Sequence, residues 1–215
     1  MNAIICPAVL EPKKKDYHAK MEKLAKFAHR VQIDLTDGQF AKSKTIDPGQ
    51  IWWPVGVKAD IHLMYKRPLE AVKEIILHKP NLMIVHAESN GDFQSFYGLC
   101  RDHNVKVGVA LLPATPAEAL FSALDFIDHV LIFSGNLGEY GGSADLSLVT
   151  KVKALKSKKP SLEIGWDGGV NDQNVAELVL GGVDVLNVGG YIQTAEDPAK
   201  AYKTLQRIAS ETGAN

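Results

Sequence analysis

A single-domain (β/α)8 TIM barrel spanning residues 1–215 is the fold class this sequence predicts, and three observations predict it. Short apolar, β-branched runs recur eight times along the chain. Segments with helical spacing separate them, and strand starts fall roughly every 20 to 30 residues, the length of one βα unit. The 215 residues leave no spare strand, linker or low-complexity tract, and barrels run to about 250 residues as one domain. An open doubly wound sheet is the competing architecture.

The strands are expected at residues 3–7, 30–34, 58–63, 82–86, 106–111, 129–133, 162–166 and 183–188. The first helix is expected over 17–29, because Met21, Leu24, Ala25 and Ala28 share a face. The others are expected at 69–78, 93–102, 116–124, 146–156, 173–180 and 198–210, while the stretch between strands two and three offers at most a short helix at 46–51. Thr115-Pro116-Ala117-Glu118 reads as an N-cap, a proline at the first helical position and an acid in the first turn. Asn171-Asp172 and Asp197-Pro198 are helix starts of the same kind. Gly181-Gly182 fits a helix C-terminus, where glycine tolerates the left-handed conformation.

Composition excludes several function classes. Lys and Arg number 24 against 25 Asp and Glu, a formal net charge of −1, so no basic field argues for nucleic acid. No apolar run approaches the roughly 18 residues of a membrane helix. Residues 1–7 carry no basic leader and too short an apolar stretch for a signal peptide. Two cysteines, Cys6 and Cys100, fit a reducing compartment, and Cys6 reads as a small buried hydrophobe. The expectation is a cytoplasmic protein. Lys13-Lys14-Lys15 reads as a solvated face.

In a (β/α)8 barrel, function sits at the C-terminal ends of the strands and in the following loops. Strand one leads to Glu11. Strand two carries Gln32 and Asp34, which alternation points the same way, and then Asp37-Gly38 in a turn. Strand three ends in His62, strand four in His86 and Glu88, and strand five in Leu111-Leu112-Pro113, with nothing ionisable. Strand six leads to the glycine-rich loop Gly138-Glu139-Tyr140-Gly141-Gly142-Ser143. Strands seven and eight end in Asp167-Gly168-Gly169 and Asn187-Val188-Gly189-Gly190. Asp34, His62 and Asp167 therefore converge on one mouth, where two carboxylates can flank a small molecule. Barrels often bind phosphate with the loops after strands seven and eight. The pairs Gly168-Gly169 and Gly189-Gly190, with Gly141-Gly142 beside them, point to a phosphorylated ligand. His86 and Glu88 read equally as pocket lining or as a hydrogen-bonded pair that supports the barrel. Trp52 and Trp53 read as packing residues or part of a subunit contact. His18, His29, His78, His103 and His129 lie away from the mouth and receive no role.

Several stretches together resemble the ribulose-phosphate 3-epimerase family along nearly the whole chain. Val31-Gln32-Ile33-Asp34-Leu35-Thr36-Asp37-Gly38 is similar to its strand-two motif H-[VL]-D-[VI]-M-D-G, and Asp60-Ile61-His62-Leu63-Met64 to its D-[VI]-H-L-M. Val85-His86-Ala87-Glu88 is similar to its H-x-E, and Trp166-Asp167-Gly168-Gly169-Val170 to its V-D-G-G-[VI]. Asn136-Leu137-Gly138-Glu139-Tyr140-Gly141-Gly142 resembles its N-P-G-F-G-G loop with one residue inserted. The resemblance implies a barrel of the ribulose-phosphate-binding type that inverts C3 of a ketopentose phosphate through an enediolate. It implies that Asp34 and Asp167 are the two acid/base groups. It implies a divalent metal (zinc, manganese, iron or magnesium) on Gln32, Asp34, His62 and Asp167, acting as a Lewis acid. It implies substrate and phosphate contacts from Glu11, Met64, Gly141, Gly142, Ser143, Gly168, Gly169, Gly189 and Gly190, and a homo-oligomeric assembly.

Five positions depart from the family pattern. Gln32 stands where the pattern has a metal-binding His, and an amide oxygen suits zinc less well than imidazole does. A harder or weaker metal, or none, is then expected. Glu11 stands in place of a substrate-contacting Ser and Thr36 in place of a Met, while Leu112 and Ala114 replace a polar residue and a glycine. Two other readings stay open: a related barrel enzyme with another phosphosugar reaction, and a catalytically silent barrel that binds a phosphorylated ligand or a partner protein.

Overall fold

Parallel pairing runs without a break round eight strands, and β8 pairs back onto β1 to close the ring. A computed structural model describes residues 3–213. The strands are β1 (Ile4–Val9), β2 (Arg30–Thr36), β3 (Lys58–Met64), β4 (Leu82–His86), β5 (Lys106–Leu111), β6 (His129–Phe133), β7 (Glu163–Asp167) and β8 (Val185–Val188). The helices are α1 (Lys14–Leu24), α2 (Leu69–Ile75), α3 (Phe93–Asp102), α4 (Val149–Lys158), α5 (Val175–Leu180), α6 (Gly190–Gln193) and α7 (Pro198–Gly213). Closure rules out the open doubly wound sheet.

Strand residues that point outward meet the helices in one large apolar cluster. It includes Val31, Ile33, Ile61, Leu63 and Trp166 from strands, and Tyr17, Met21 and Leu24 from α1. Residues that point inward alternate with these. Leu82, Ile84, Ala110 and Leu131 form a smaller apolar plug within the barrel. Below that plug the interior is ionic. Arg30 Nε donates to Asp60 at 2.6 Å, and its two terminal nitrogens reach Glu163 at 2.9 and 2.7 Å. His129 Nδ1 lies 2.8 Å from Glu163, and Asn81 donates to Asp60 at 2.6 Å. The N-terminal end of the barrel is thus sealed by paired charges, which leaves the C-terminal end for chemistry. Cys6 and Cys100 are free and buried, and burial pushes both thiols up, Cys100 to about 12.

Some boundaries differ from expectation. Helix α1 starts at Lys14 and stops at Leu24, where residues 17–29 were expected. Beyond it, Ala25 N–H and Ala28 N–H still bond back to Met21 and Leu24, in turns that lead into β2. Lys13, Lys14 and Lys15 are exposed. The α-helix expected over 116–124 is instead a run of 3-10 turns, Ala117–Phe126. Its buried residues, Ala117, Leu120 and Leu124, are spaced three and four apart, a pattern that 3-10 and α-helical turns both satisfy over so short a segment. Between β2 and β3 there is only the short 3-10 helix Pro48–Gln50. Trp53 packs on the core, whereas Trp52 is partly exposed and stacks on His18 with centroids 5.1 Å apart. Among the described residues, no helix is long and apolar enough to cross a membrane.

Candidate active site

Alternation along β2 points Gln32 and Asp34 into the barrel between outward Val31, Ile33 and Leu35, and β3 registers His62 beside Asp34. Asp167, the last residue of β7, comes from across the ring. The Gln32 side chain joins the two carboxylates: its Nε2 donates to Asp34 Oδ1 at 2.9 Å and to Asp167 Oδ2 at 2.6 Å. His62 Nδ1 lies 3.0 Å from Asp34 Oδ1 and 3.6 Å from Asp167 Oδ2. All four side chains meet at the C-terminal end of the barrel, as the sequence predicts.

The electrostatics follow from burial. Desolvation raises Asp34 to about 7, against the pull of the Gln32 hydrogen bond. Desolvation also raises Asp167 to about 7, and the Asp34 charge adds to the effect. Two carboxylates this close, with no buried cation beside them among the described residues, are both pushed toward neutrality and titrate as a coupled pair. Burial lowers His62 to about 4, so its ring is neutral.

The donor chemistry suits a divalent cation. Asp34, His62 and Asp167 bring one ligand atom each to within 4.8 Å of one another. Two hard carboxylates and a neutral imidazole are a familiar donor set for such ions. Gln32 differs, because it turns its nitrogen toward the carboxylates and an amide N–H cannot ligate. Its Oε1 is buried without a partner, so Gln32 joins the set only by exchanging the two ends of its amide.

Behind His62, its Nε2 lies 2.8 Å from His86 Nε2, and His86 Nδ1 lies 3.4 Å from Glu88 Oε2. Glu88 also accepts from Leu112 N–H at 3.0 Å. His86 and Glu88 therefore stand behind the cluster, as a pair that supports it. Asp37 accepts hydrogen bonds from the amides of Gln39, Phe40 and Lys66, and so orders the turn after β2.

A cleft of ≈ 340 Å³ opens above the carboxylates, with Asp34, Asp167, Met64, Phe133, Tyr140 and Asn187 among its walls. The pairs Gly141-Gly142, Gly168-Gly169 and Gly189-Gly190 all line it. Gly168, at φ +115°, packs so tightly that a Cβ there would collide with the Gly135 backbone, and a Cβ on Gly190 would come 3.2 Å from Gly141. The glycines thus let three loops touch backbone to backbone around one opening. Two expected contacts lie outside these walls. Ser143 is exposed, with its backbone against Gly169. Glu11 is turned to Lys20 and to the Tyr140 hydroxyl. Tyr140 and Asn187 were missed as site residues. Asn187 is the inward-facing residue next to the end of β8, between outward Leu186 and Val188, and Tyr140 is the one aromatic of the glycine-rich loop; both signals were present.

The sequence profile of the ribulose-phosphate 3 epimerase family matches residues 4–193. The Helicobacter pylori protein named ribulose-phosphate 3-epimerase is 32% identical over 192 residues, covering 86% of this chain and 87% of that one. The Bacillus subtilis protein of the same name is 29% identical over 184 residues, covering 82% and 85%. Among solved structures, 3-hexulose-6-phosphate synthase from Salmonella typhimurium superposes with a TM-score of 0.71 at 17% identity, covering 99% of this chain and all of that one. 3-keto-L-gulonate-6-phosphate decarboxylase from Vibrio cholerae superposes with a TM-score of 0.73 at 10% identity, covering 99% of each. At such identities these structures establish the fold alone. The profile match and the identity to the Helicobacter pylori protein establish more: this chain belongs to the ribulose-phosphate 3-epimerase family.

Proposed function

We propose that this protein epimerises C3 of a ketopentose phosphate such as ribulose 5-phosphate, with Asp34 and Asp167 as the two acid/base groups. Inversion at a carbon beside a carbonyl requires a base on one face and an acid on the other. The observation that carries this reading is the meeting of Asp34 and Asp167, from β2 and β7, at the floor of one cleft with Gln32 between them. Burial supports it, because it raises both carboxyls from the ordinary carboxylate range toward neutrality, where such a group can take a proton as well as give one. One carboxylate removes the C3 proton and the other returns a proton to the opposite face; the roles exchange when the direction reverses. Asp34, His62 and Asp167 would hold a divalent cation, with Gln32 as a fourth donor if its amide turns, and that ion would polarise the ketose oxygens as a Lewis acid. Manganese or magnesium suits the amide better than zinc. The phosphate would lie against Gly141, Gly142, Gly168, Gly169, Gly189 and Gly190, where small residues let the backbone approach an anion closely. Met64 would cover the sugar.

Incubation with ribulose 5-phosphate in D2O should place deuterium at C3. Asp34→Asn and Asp167→Asn should each lower turnover by about 10²- to 10⁴-fold, with far-UV circular dichroism unchanged. Near-normal turnover by either variant excludes the two-base assignment.

A further inference from the structure

We propose that Glu11, Lys20 and Tyr140 anchor the glycine-rich loop after β6 to the end of β1, so that Glu11 positions the cleft wall through Tyr140. The Tyr140 hydroxyl accepts from the Leu10 backbone N–H at 2.7 Å and donates to Glu11 Oε1 at 3.4 Å. Lys20, from α1, pairs with the same Glu11 oxygen. Its ammonium lies 4.7 Å above the Tyr140 ring, within cation–π range. The ring also meets the loop after β8, since a Cβ on Gly189 would come 2.9 Å from Tyr140 Cδ1. One side chain therefore gathers β1, α1 and two loops.

The loop is also held at Gly138, which packs against Ala41 and Ser43, and by the Glu139 N–H on the Asn136 carbonyl, but the stretch after Tyr140 has no side chain to anchor it. Tyr140 is followed by Gly141 and Gly142, both at positive φ, and Gly138 before it is also at positive φ. No atom lies within 4 Å of where a Gly141 Cβ would stand. Tyr140, Gly141 and Gly142 all line the cleft, so the point where Tyr140 is held sets the position of that wall. Glu11 is one of the five departures from the family pattern, a carboxylate in place of a Ser, and the structure puts it in contact with the Tyr140 hydroxyl. Lys20 neutralises the charge that Glu11 would otherwise bring to the rim of an anion site.

The kinetic part of this inference rests on the epimerase reading; the anchoring part does not. Tyr140→Phe keeps the ring on Gly189 and under Lys20 but removes the hydroxyl. Hydrogen exchange of the full-length protein without substrate should show the Leu10 amide and residues 136–142 losing protection in Tyr140→Phe, and to a smaller degree in Glu11→Gln. The double variant should lose no more than Tyr140→Phe alone, because Glu11 acts through the hydroxyl. With ribulose 5-phosphate, KM should rise about tenfold in Tyr140→Phe, the loss of one buried hydrogen bond, while kcat changes less than twofold. Unchanged exchange at Leu10 and the loop overturns the anchor. Loosened exchange with unchanged KM overturns the positioning role, as do additive effects of the two substitutions. An inactive wild-type protein would instead remove the epimerase reading and leave the exchange result to decide the anchor alone.

Discussion

A carboxyl group buried without a neighbouring cation resists ionisation, and Asp34 and Asp167 do so together. A metal ion binds only their ionised forms, so binding must expel protons below their shared value near 7. Metal affinity should therefore climb on the order of a hundredfold or more between about pH 5.5 and about pH 8 and level off above. His62, lowered to about 4, is already neutral over this range and adds nothing to the slope. Chelator competition with manganese across this pH range is the measurement; a flat profile would show that these acids are not the ligands. Gln32→His restores a nitrogen donor beside the cluster and removes the amide that bridges the carboxylates. Zinc affinity should then rise by about one to two orders of magnitude, read in the same titration, and an unchanged value would place the metal elsewhere. That these side chains end strands, with Gln32 and Asp34 on one side, was legible from the sequence, and the family resemblance supplied their grouping. That the Gln32 amide faces the carboxylates with its nitrogen was not, because the choice depends on two oxygens 2 and 135 positions away in sequence.

Loops are where element-scale reasoning from sequence both succeeded and fell short. The three glycine pairs foretold a shared opening, and all three line it. They do so for different reasons. Gly168 is locked against the Gly135 backbone at positive φ, whereas a Cβ on Gly141 would project into open space. Gly168→Ala should cost about 3 kcal/mol or more, since backbone must move, while Gly141→Ala should cost about 1–2 kcal/mol from dihedral strain alone. Thermal melts of the two variants compare them directly, and equal losses would contradict the packing. The strands were legible because short apolar, β-branched runs have few other uses. The 3-10 run Ala117–Phe126 was not, since residues spaced at three and at four both satisfy a helical pattern in a short segment.

Across the whole molecule the barrel separates stability from function along its axis. Paired charges around Arg30 close the N-terminal end, apolar Leu82, Ile84, Ala110 and Leu131 fill the middle, and the protonatable cluster lies at the other end. Arg30→Ala would leave buried Asp60 and half-buried Glu163 without their cation. It should lower unfolding free energy by about 3–5 kcal/mol, measured as a fall in the urea midpoint at unchanged slope, while KM and kcat stay as in the wild type. A kinetic change would mean that the two ends are coupled.

The sequence by itself determined the eightfold alternation, and with it the barrel, the strand ends and the common side of Gln32 and Asp34, because a strand's side chains must alternate and a parallel strand must be buried on both faces; closure of the ring decided that this side is the interior. Tertiary structure decided which polar groups touch. It turned Glu11 away from the cleft toward Lys20 and Tyr140, set His86 behind His62, and gave Arg30 its two carboxylates. Each of these is a contact between residues distant in the chain, settled by where closure of the ring brings their side chains and by the cost of leaving a buried charge or hydrogen-bonding group unpaired.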